Sequence, residues 1–295
     1  MAISFEKLLE SRKICFYDIE TFYKYSCWVF FFPDDKRWEI IQFGQGNNNA
    51  KSTFKLFELY KKILKDYILV GYNCKKYDNL ILLKLFEQSC RTDISPEEIN
   101  DLSDQIICQQ TLKWANIPEG FLSYDVYNFK NHMPSLKIVA TLFGGDIRET
   151  PIPFTYKGDF TKDQIDEILF YCKHDVLMTK RIFDSELGQK YFNMENKMAQ
   201  IAYNVVKDVC RPEFVYRLYS TACDHYEEIV KILTNYTYQA SVDSALDEFK
   251  PRKPAMILIV EKLLKDYTDE NSVEIYRNLS QFFYSEDSFK VRKES

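Results

Sequence analysis

The chain has little of several features that mark other classes of protein. It has only eight glycines in 295 residues, and none of them builds a glycine-rich loop that could cradle a phosphate. Its eight cysteines are scattered and include no CxxC pair. Cysteine and histidine lie two apart at two places, but neither place has a second pair at zinc-ligand spacing. These absences exclude a P-loop and a zinc site, and they indicate reduced thiols.

Long apolar runs and an excess of one charge are also missing. The longest apolar stretches, such as residues 27–32 and 256–260, are far shorter than a membrane span. No secretory leader is recognised, so we expect a soluble, cytoplasmic protein with no membrane partner. A net charge of −5 argues against a protein that coats nucleic acid through a large basic face. This net charge is compatible with an enzyme that binds one end of a nucleic-acid strand.

Apolar patterning predicts an α/β fold. Residues 13–20, 27–32 and 38–43 read as three strands of an antiparallel meander with a polar turn between the last two. A polar loop over residues 44–52 should precede a helix, and residues 67–72 should form a further strand.

The second half of this region continues the alternation of helices and strands. Helical periodicity covers residues 78–86 and 161–187, and residues 123–129 read as a strand. A short helix over residues 135–144 should stop at a pair of glycines.

Strand signals end near residue 188. We therefore predict a catalytic domain over residues 1–190 and an α-helical C-terminal region over residues 191–295. The candidate helices of that region are 194–209, 212–233, 254–267 and 273–283.

Acidic side chains recur where predicted elements could aim them at one point. Asp18 and Glu20 share one face of the first strand because side chains alternate along a strand. Asp78 begins a helix, and Tyr171 and Asp175 share one face of a later helix. Mg²⁺ and Mn²⁺ prefer such carboxylates, and two ions about 4 Å apart can stabilise phosphodiester hydrolysis. Each motif alone is more often a solvated edge or a helix cap, but together they predict a metal-dependent phosphodiesterase.

This set of motifs resembles the DEDDy group of 3′–5′ exonucleases, which includes proofreading domains of DNA polymerases. The matching residues are, motif by motif, Asp18 and Glu20, Asn73 and Asp78, and Tyr171 and Asp175. The sister group places a catalytic histidine where this chain has Phe170, so His174 is not the expected base. The segments at 125–128, 135–137 and 150–153 further resemble exonuclease domains of bacteriophages.

The resemblance covers residues 13–187 and implies a ribonuclease H-like fold, a mixed sheet flanked by helices. It also implies two divalent metal ions, Mg²⁺ or Mn²⁺. Asp18, Glu20 and Asp175 would hold the metal that activates water, Asp18 would also touch the second metal, and Asp78 would act mainly through water. Tyr171 would orient the attacking water.

Substrate-binding residues are implied in the same way. The terminal nucleotide would stack and hydrogen-bond at Thr21 and Phe22 through the backbone, and Asn73 would help hold the single strand. Lys137 lies where phage relatives place a lysine near the scissile phosphate. A solvated helix lysine is an equally good interpretation of Lys137.

The function expected is hydrolysis of single-stranded DNA from the 3′ end to 5′-mononucleotides. The enzyme would be free-standing or the proofreading subunit of a split phage replication machine, with the C-terminal helices docking a polymerase or replisome subunit. An RNA 3′-end exonuclease is the main alternative, because the same carboxylates serve both polymers. A catalytically silent nucleic-acid-binding or scaffold module is the alternative from another class. The residue usage resembles that of an AT-rich genome, which fits a phage or a low-GC bacterium. The expected location is the cytoplasm of a bacterial or phage-infected cell.

Overall fold

A computed structural model describes residues 5–87, 92–109, 117–118, 120–126, 135–146, 148–150, 152–190, 192–193 and 196. The predicted domain boundary at residue 190 and the predicted C-terminal helices over 191–295 lie almost entirely outside these residues, so they stay predictions. The α/β class is confirmed within the described part of the chain.

The centre of the fold is a mixed sheet, which has five strands among the described residues in the order β3-β2-β1-β4-β5. The first three strands form the predicted antiparallel meander, whereas β4 and β5 run parallel to β1. The central strand β1 is therefore buried between an antiparallel and a parallel neighbour. The strands are β1 (Lys13–Phe22), β2 (Tyr25–Phe32), β3 (Arg37–Gly44), β4 (Tyr67–Gly71) and β5 (Ser123–Asp125).

Helices cover the sheet on both faces. The described helices are α1 (Phe5–Glu10), α2 (Asn49–Asp66), α3 (Asp78–Glu87), α4 (Pro96–Gln109), α5 (Leu136–Leu142) and α6 (Lys162–Asp184). Tyr17 and Ile19 of β1 belong to an apolar core that includes side chains of α2, α3 and α4. Helix α6 packs on the opposite face, where Phe183 makes an edge-to-face ring contact with Phe16. Alternation therefore turns the even-numbered residues of β1 toward α6.

Two predicted elements differ from the structure by four residues or more, and the others differ by smaller margins. Helix α2 begins at Asn49, within the predicted loop 44–52, because the Asn48 side chain accepts a hydrogen bond from the Lys51 backbone N–H and caps the helix. Strand β5 is shorter than the predicted 123–129 and ends at Asp125.

Helices α1 and α4 were not predicted. Helix α4 has a clear signal in the sequence, since Ser95 and Glu98 form a reciprocal capping box ahead of Pro96. Among the described residues, no helix combines the length and apolarity needed to cross a membrane.

Candidate metal centre

Three acidic residues converge between β1 and α6. Asp18 and Glu20 lie on the face of β1 that α6 covers, and Asp175 enters from α6. One carboxylate oxygen from each residue lies within 4.8 Å of the other two. Asp18 is partly exposed, whereas Glu20 and Asp175 are buried. The structure thus brings together three of the four predicted metal ligands at a point that solvent can reach through Asp18.

The cluster is electrostatically costly without a cation. Burial, and then the charge of Asp175, raise the pKa of Asp18 to about 7. Burial and the charge of Asp18 raise the pKa of Glu20 well above its ordinary value. Like charges at this separation each disfavour ionisation of the other. A divalent ion would remove that repulsion, so this acidic cluster could hold a metal ion.

Asp175 has the most polar surroundings of the three acids. Burial raises its pKa, while hydrogen bonds from Tyr171 and His174 favour the ionised form and offset part of the rise. The imidazole of His174 also lies 3.1 Å from the Oδ1 atom of Asp146. His174 therefore bridges two carboxylates, and it is not placed as a separate base.

Asp78 approaches the cluster from the other side of the sheet. It begins α3, one residue after a 3₁₀ turn at Cys74–Lys76 that follows β4. Burial and the charge of Asp18 raise the pKa of Asp78 well above its ordinary value. Its Oδ1 atom is buried and has no hydrogen-bond partner. Asp78 lies outside the group within 4.8 Å. Its expected action through water stays a prediction.

Cys172 is a neighbour of the cluster that sequence reasoning missed. Its Sγ atom is fully buried and donates a hydrogen bond of 3.2 Å to the Oδ2 atom of Asp18. It lies three residues before Asp175, on the same side of α6, so helical spacing alone could have indicated its place. The thiol helps to fix the rotamer of Asp18.

Lys137 lies beside the predicted site. Its Nζ atom is 5.5 Å from the ring centre of Tyr171 and 3.0 Å from the Oε1 atom of Glu149. Its positive charge also lowers the pKa of Asp175. The positive charge of Lys137 is thus close enough to act on the acidic cluster, and the exposed Glu149 carboxylate is its counterion.

A network of three hydroxyl groups lies on the other face of β1. The Thr21 hydroxyl is 2.8 Å from the Tyr77 hydroxyl and 3.2 Å from the Ser103 hydroxyl, and the last two are 2.6 Å apart. Ser103 belongs to α4, which was not predicted. The side chain of Thr21 is therefore occupied within the protein, which leaves its backbone as the part that could contact a nucleotide.

The ring of Phe22 is fully buried and so offers no face for a base to stack on. Phe154 stacks on that ring, with centroids 5.3 Å apart, and is itself 53% exposed. The aromatic surface next to the first motif therefore belongs to Phe154. The backbone of Phe22 lies at the end of β1. A contact between this backbone and a nucleotide stays a prediction.

Asn73 occupies the turn between β4 and α3. Its φ angle of 56° lies in the left-handed region, and its side chain does not cap the turn that follows. Its Oδ1 atom is buried without a hydrogen-bond partner. An unpaired buried amide oxygen is uncommon in folded proteins, so a small shift of the loop that brings a ligand donor to it would be favoured.

Comparison with known proteins adds no relative. No protein-family model matches the chain, and no curated protein or solved structure shows significant similarity to it. The geometry of this chain's own residues is therefore what points to a metal centre.

Proposed function

We propose that the protein is a metal-dependent 3′–5′ exonuclease with a ribonuclease H-like fold. It would remove 5′-mononucleotides from single-stranded DNA, free-standing or as the proofreading subunit of a split phage replication machine. The observation that carries the proposal is the convergence of Asp18, Glu20 and Asp175 within 4.8 Å beside Tyr171. The mixed sheet, in which an antiparallel meander adjoins parallel strands, is compatible with that fold.

The donor set fits hard divalent ions. All the converging groups are carboxylates, which Mg²⁺ and Mn²⁺ prefer, and Asp78 adds a buried oxygen without a partner. When bound, the ions would activate water and stabilise the charge that develops on the phosphate and the leaving oxygen. Asp18, Glu20 and Asp175 would hold them, and Asp78 would bind through water.

The role proposed for Tyr171 is to orient the attacking water. Burial and the charge of Asp175 raise its pKa above the ordinary value, so the phenol stays protonated at neutral pH. A protonated phenol can position a water molecule through a hydrogen bond, but it does not remove a proton. The role proposed for Tyr171 is therefore orientation, with the proton leaving to another acceptor.

The 3′ end of the DNA would lie across the C-terminal end of β1. Phe154 offers an exposed ring face for a base, and the backbone at Thr21 and Phe22 lies next to the carboxylates. Stacking on an aromatic ring tolerates any base, which suits an enzyme that removes nucleotides without regard to sequence. Asn73 would then contribute its unpaired amide oxygen.

Lys137 would neutralise the phosphate next to the site. Its ion pair with Glu149 involves a carboxylate on a side chain that is 76% exposed, and such a pair contributes little to stability. A phosphate of the substrate can take the place of Glu149 without leaving a buried charge unpaired.

The proposal is tested by incubating 5′-labelled single-stranded DNA and RNA of matched sequence with Mg²⁺, Mn²⁺ or EDTA. An Asp18→Ala/Glu20→Ala double variant serves as the inactive control. A DNA ladder that shortens from the 3′ end, needs metal and is absent in the variant is the expected result. Degradation of RNA alone would select the RNA alternative. Intact substrates with a folded protein would contradict catalysis and leave a binding or scaffold role.

Replacing Tyr171 with Phe should lower kcat for DNA hydrolysis by about 10²-fold and leave KM nearly unchanged. The change removes the hydroxyl that orients the attacking water but keeps the ring that packs in α6. Steady-state kinetics on a single-stranded oligonucleotide measure both constants. Replacing Tyr156, whose hydroxyl donates a hydrogen bond to the Asp159 backbone carbonyl, with Phe is the matched control. Unchanged kcat in Tyr171→Phe would contradict the assigned role.

A further inference from the structure

Asp125 is a buried carboxylate outside the predicted site. It ends β5 and is 5% exposed. Its Oδ1 atom accepts a hydrogen bond of 2.7 Å from the Asn73 backbone N–H, and its Oδ2 atom accepts one of 3.1 Å from the Lys75 backbone N–H. Both oxygens of one side chain thus hold the loop that connects β4 to α3.

This loop needs external support. Asn73 has a left-handed backbone, a conformation that costs about 1–2 kcal/mol for most residues with a side chain and less for asparagine. The side chain of Asn73 stands at the cap position of the 3₁₀ turn but makes no capping hydrogen bond. Asp125 supplies that bond from the neighbouring strand. The amide of Asn73 is thereby left available for another partner.

The turn transmits the position of the loop to Asp78. The Lys76 N–H bonds the Asn73 carbonyl at 3.2 Å, and the Tyr77 N–H bonds the Cys74 carbonyl at 3.3 Å. Helix α3 starts at the next residue, Asp78. A shift at Asn73 therefore moves the start of α3 with it.

The rest of β5 anchors the same helix. The Ser123 hydroxyl accepts a hydrogen bond of 2.9 Å from the Asn79 amide nitrogen, and the Tyr17 hydroxyl donates to the Asn79 amide oxygen. Tyr17 is the residue before Asp18 on β1. Side chains of β5 and β1 thus fix the start of α3 relative to the strand that carries the first motif.

We propose that Asp125 is a positioning residue for the hydrolysis, which holds in place the loop 73–75, and with it Asn73 and the start of α3 that carries Asp78. The inference rests on the proposed exonuclease function. Asp125 acts through the loop backbone and does not touch substrate or metal. Strand β5, the last strand of the sheet within the described part of the chain, thereby sets the geometry of the second motif.

Asp125→Asn is the variant that tests this role, because it keeps the shape but presents an NH₂ group to one of the two backbone N–H donors. We expect kcat to fall roughly 10- to 100-fold, since small displacements of reacting groups cost this much. Binding of Mn²⁺ by Asp18, Glu20 and Asp175 should persist. Asp35→Asn, an exposed change in the turn between β2 and β3, is the matched control.

A double-mutant cycle with Asp78→Asn separates positioning from general destabilisation, because Asp125 binds the loop backbone and the loop leads directly to Asp78. If Asp125 acts by placing the Asp78 carboxylate, the double variant should lose at least about fivefold less than the product of the two single losses. Hydrogen exchange in the unmodified protein gives a readout without any variant. The Asn73 and Lys75 amides should exchange much more slowly than exposed loop amides.

Three results would overturn the inference: fully multiplicative losses, unchanged kcat in Asp125→Asn, or exchange of both amides at the rate of an exposed loop. An active protein whose Asp125→Asn variant is equally active contradicts the positioning role alone. A folded protein that degrades no nucleic acid under any metal condition contradicts the proposed function itself.

Discussion

Asp18→Asn should lower kcat for single-stranded DNA by at least ~10³-fold and, in the absence of metal, make the protein more stable. The loss of activity follows because the carboxylate would touch both ions, and the two ions supply several kcal/mol of transition-state stabilisation. The gain in stability follows because asparagine has no charge to repel Asp175 or Glu20. The asparagine oxygen can still accept the hydrogen bond from the Cys172 thiol.

The expected gain in the free energy of unfolding follows from the pKa of Asp18, which burial and the charge of Asp175 raise to about 7. Because the side chain is partly exposed, we expect about 2 kcal/mol at pH 8. This corresponds to a rise in Tm of roughly 4–8 °C in EDTA. Thermal unfolding and single-turnover kinetics of Asp18→Asn and Asp35→Asn check both parts. A variant that keeps a tenth of the activity, or one that is less stable in EDTA, would contradict the account.

The metal-free protein should lose stability as the pH rises from about 4 to about 7. Asp18, Glu20, Asp78 and Asp175 all have raised pKa values in the folded state. The folded state therefore holds protons that the unfolded state has already released in this range. Stability falls with pH wherever the folded state binds more protons, by up to about 1.4 kcal/mol per pH unit for each proton.

Saturating Mn²⁺ should remove this loss, since the ion neutralises the carboxylates in place of protons and adds about 2.7 kcal/mol at a concentration of 100 times Kd. The measurement is Tm from pH 4.5 to 8 in EDTA and in Mn²⁺. An Asp18→Asn/Asp175→Asn double variant should show a flatter profile and no Mn²⁺ shift. A Tm in EDTA that rises over this pH range would show that the acids do not repel one another in the folded state.

The parts of the site that follow from local periodicity could be predicted from sequence. Alternation along β1 places Asp18 and Glu20 on one face, and the spacing of Tyr171 and Asp175 places both on one side of α6. The same alternation puts Phe22 on that face, yet its full burial depends on Phe154 and Phe160, which are far away in the chain. Burial by distant residues has no local signal.

The supporting residues were missed for the same reason. Asp125 contacts Asn73 across 52 positions of sequence, and Ser103 contacts Thr21 across 82. Their partners are fixed by strand order and helix packing, which hydrophobic patterns do not specify. Helix α4 is different, because its capping box can be recognised in the sequence. Ser95 precedes the helix and Glu98 lies in its first turn.

The most direct test of the metal centre is a Mn²⁺ titration of the unmodified protein, Asp18→Asn and Asp35→Asn, followed by electron paramagnetic resonance. The unmodified protein and Asp35→Asn should each bind two Mn²⁺ ions close enough to couple magnetically, because the proposed mechanism places them about 4 Å apart. Asp18→Asn should lose the coupled pair. Absence of Mn²⁺ binding to the folded unmodified protein, or binding that Asp18→Asn leaves unchanged, would contradict the claim that these carboxylates form a catalytic metal centre.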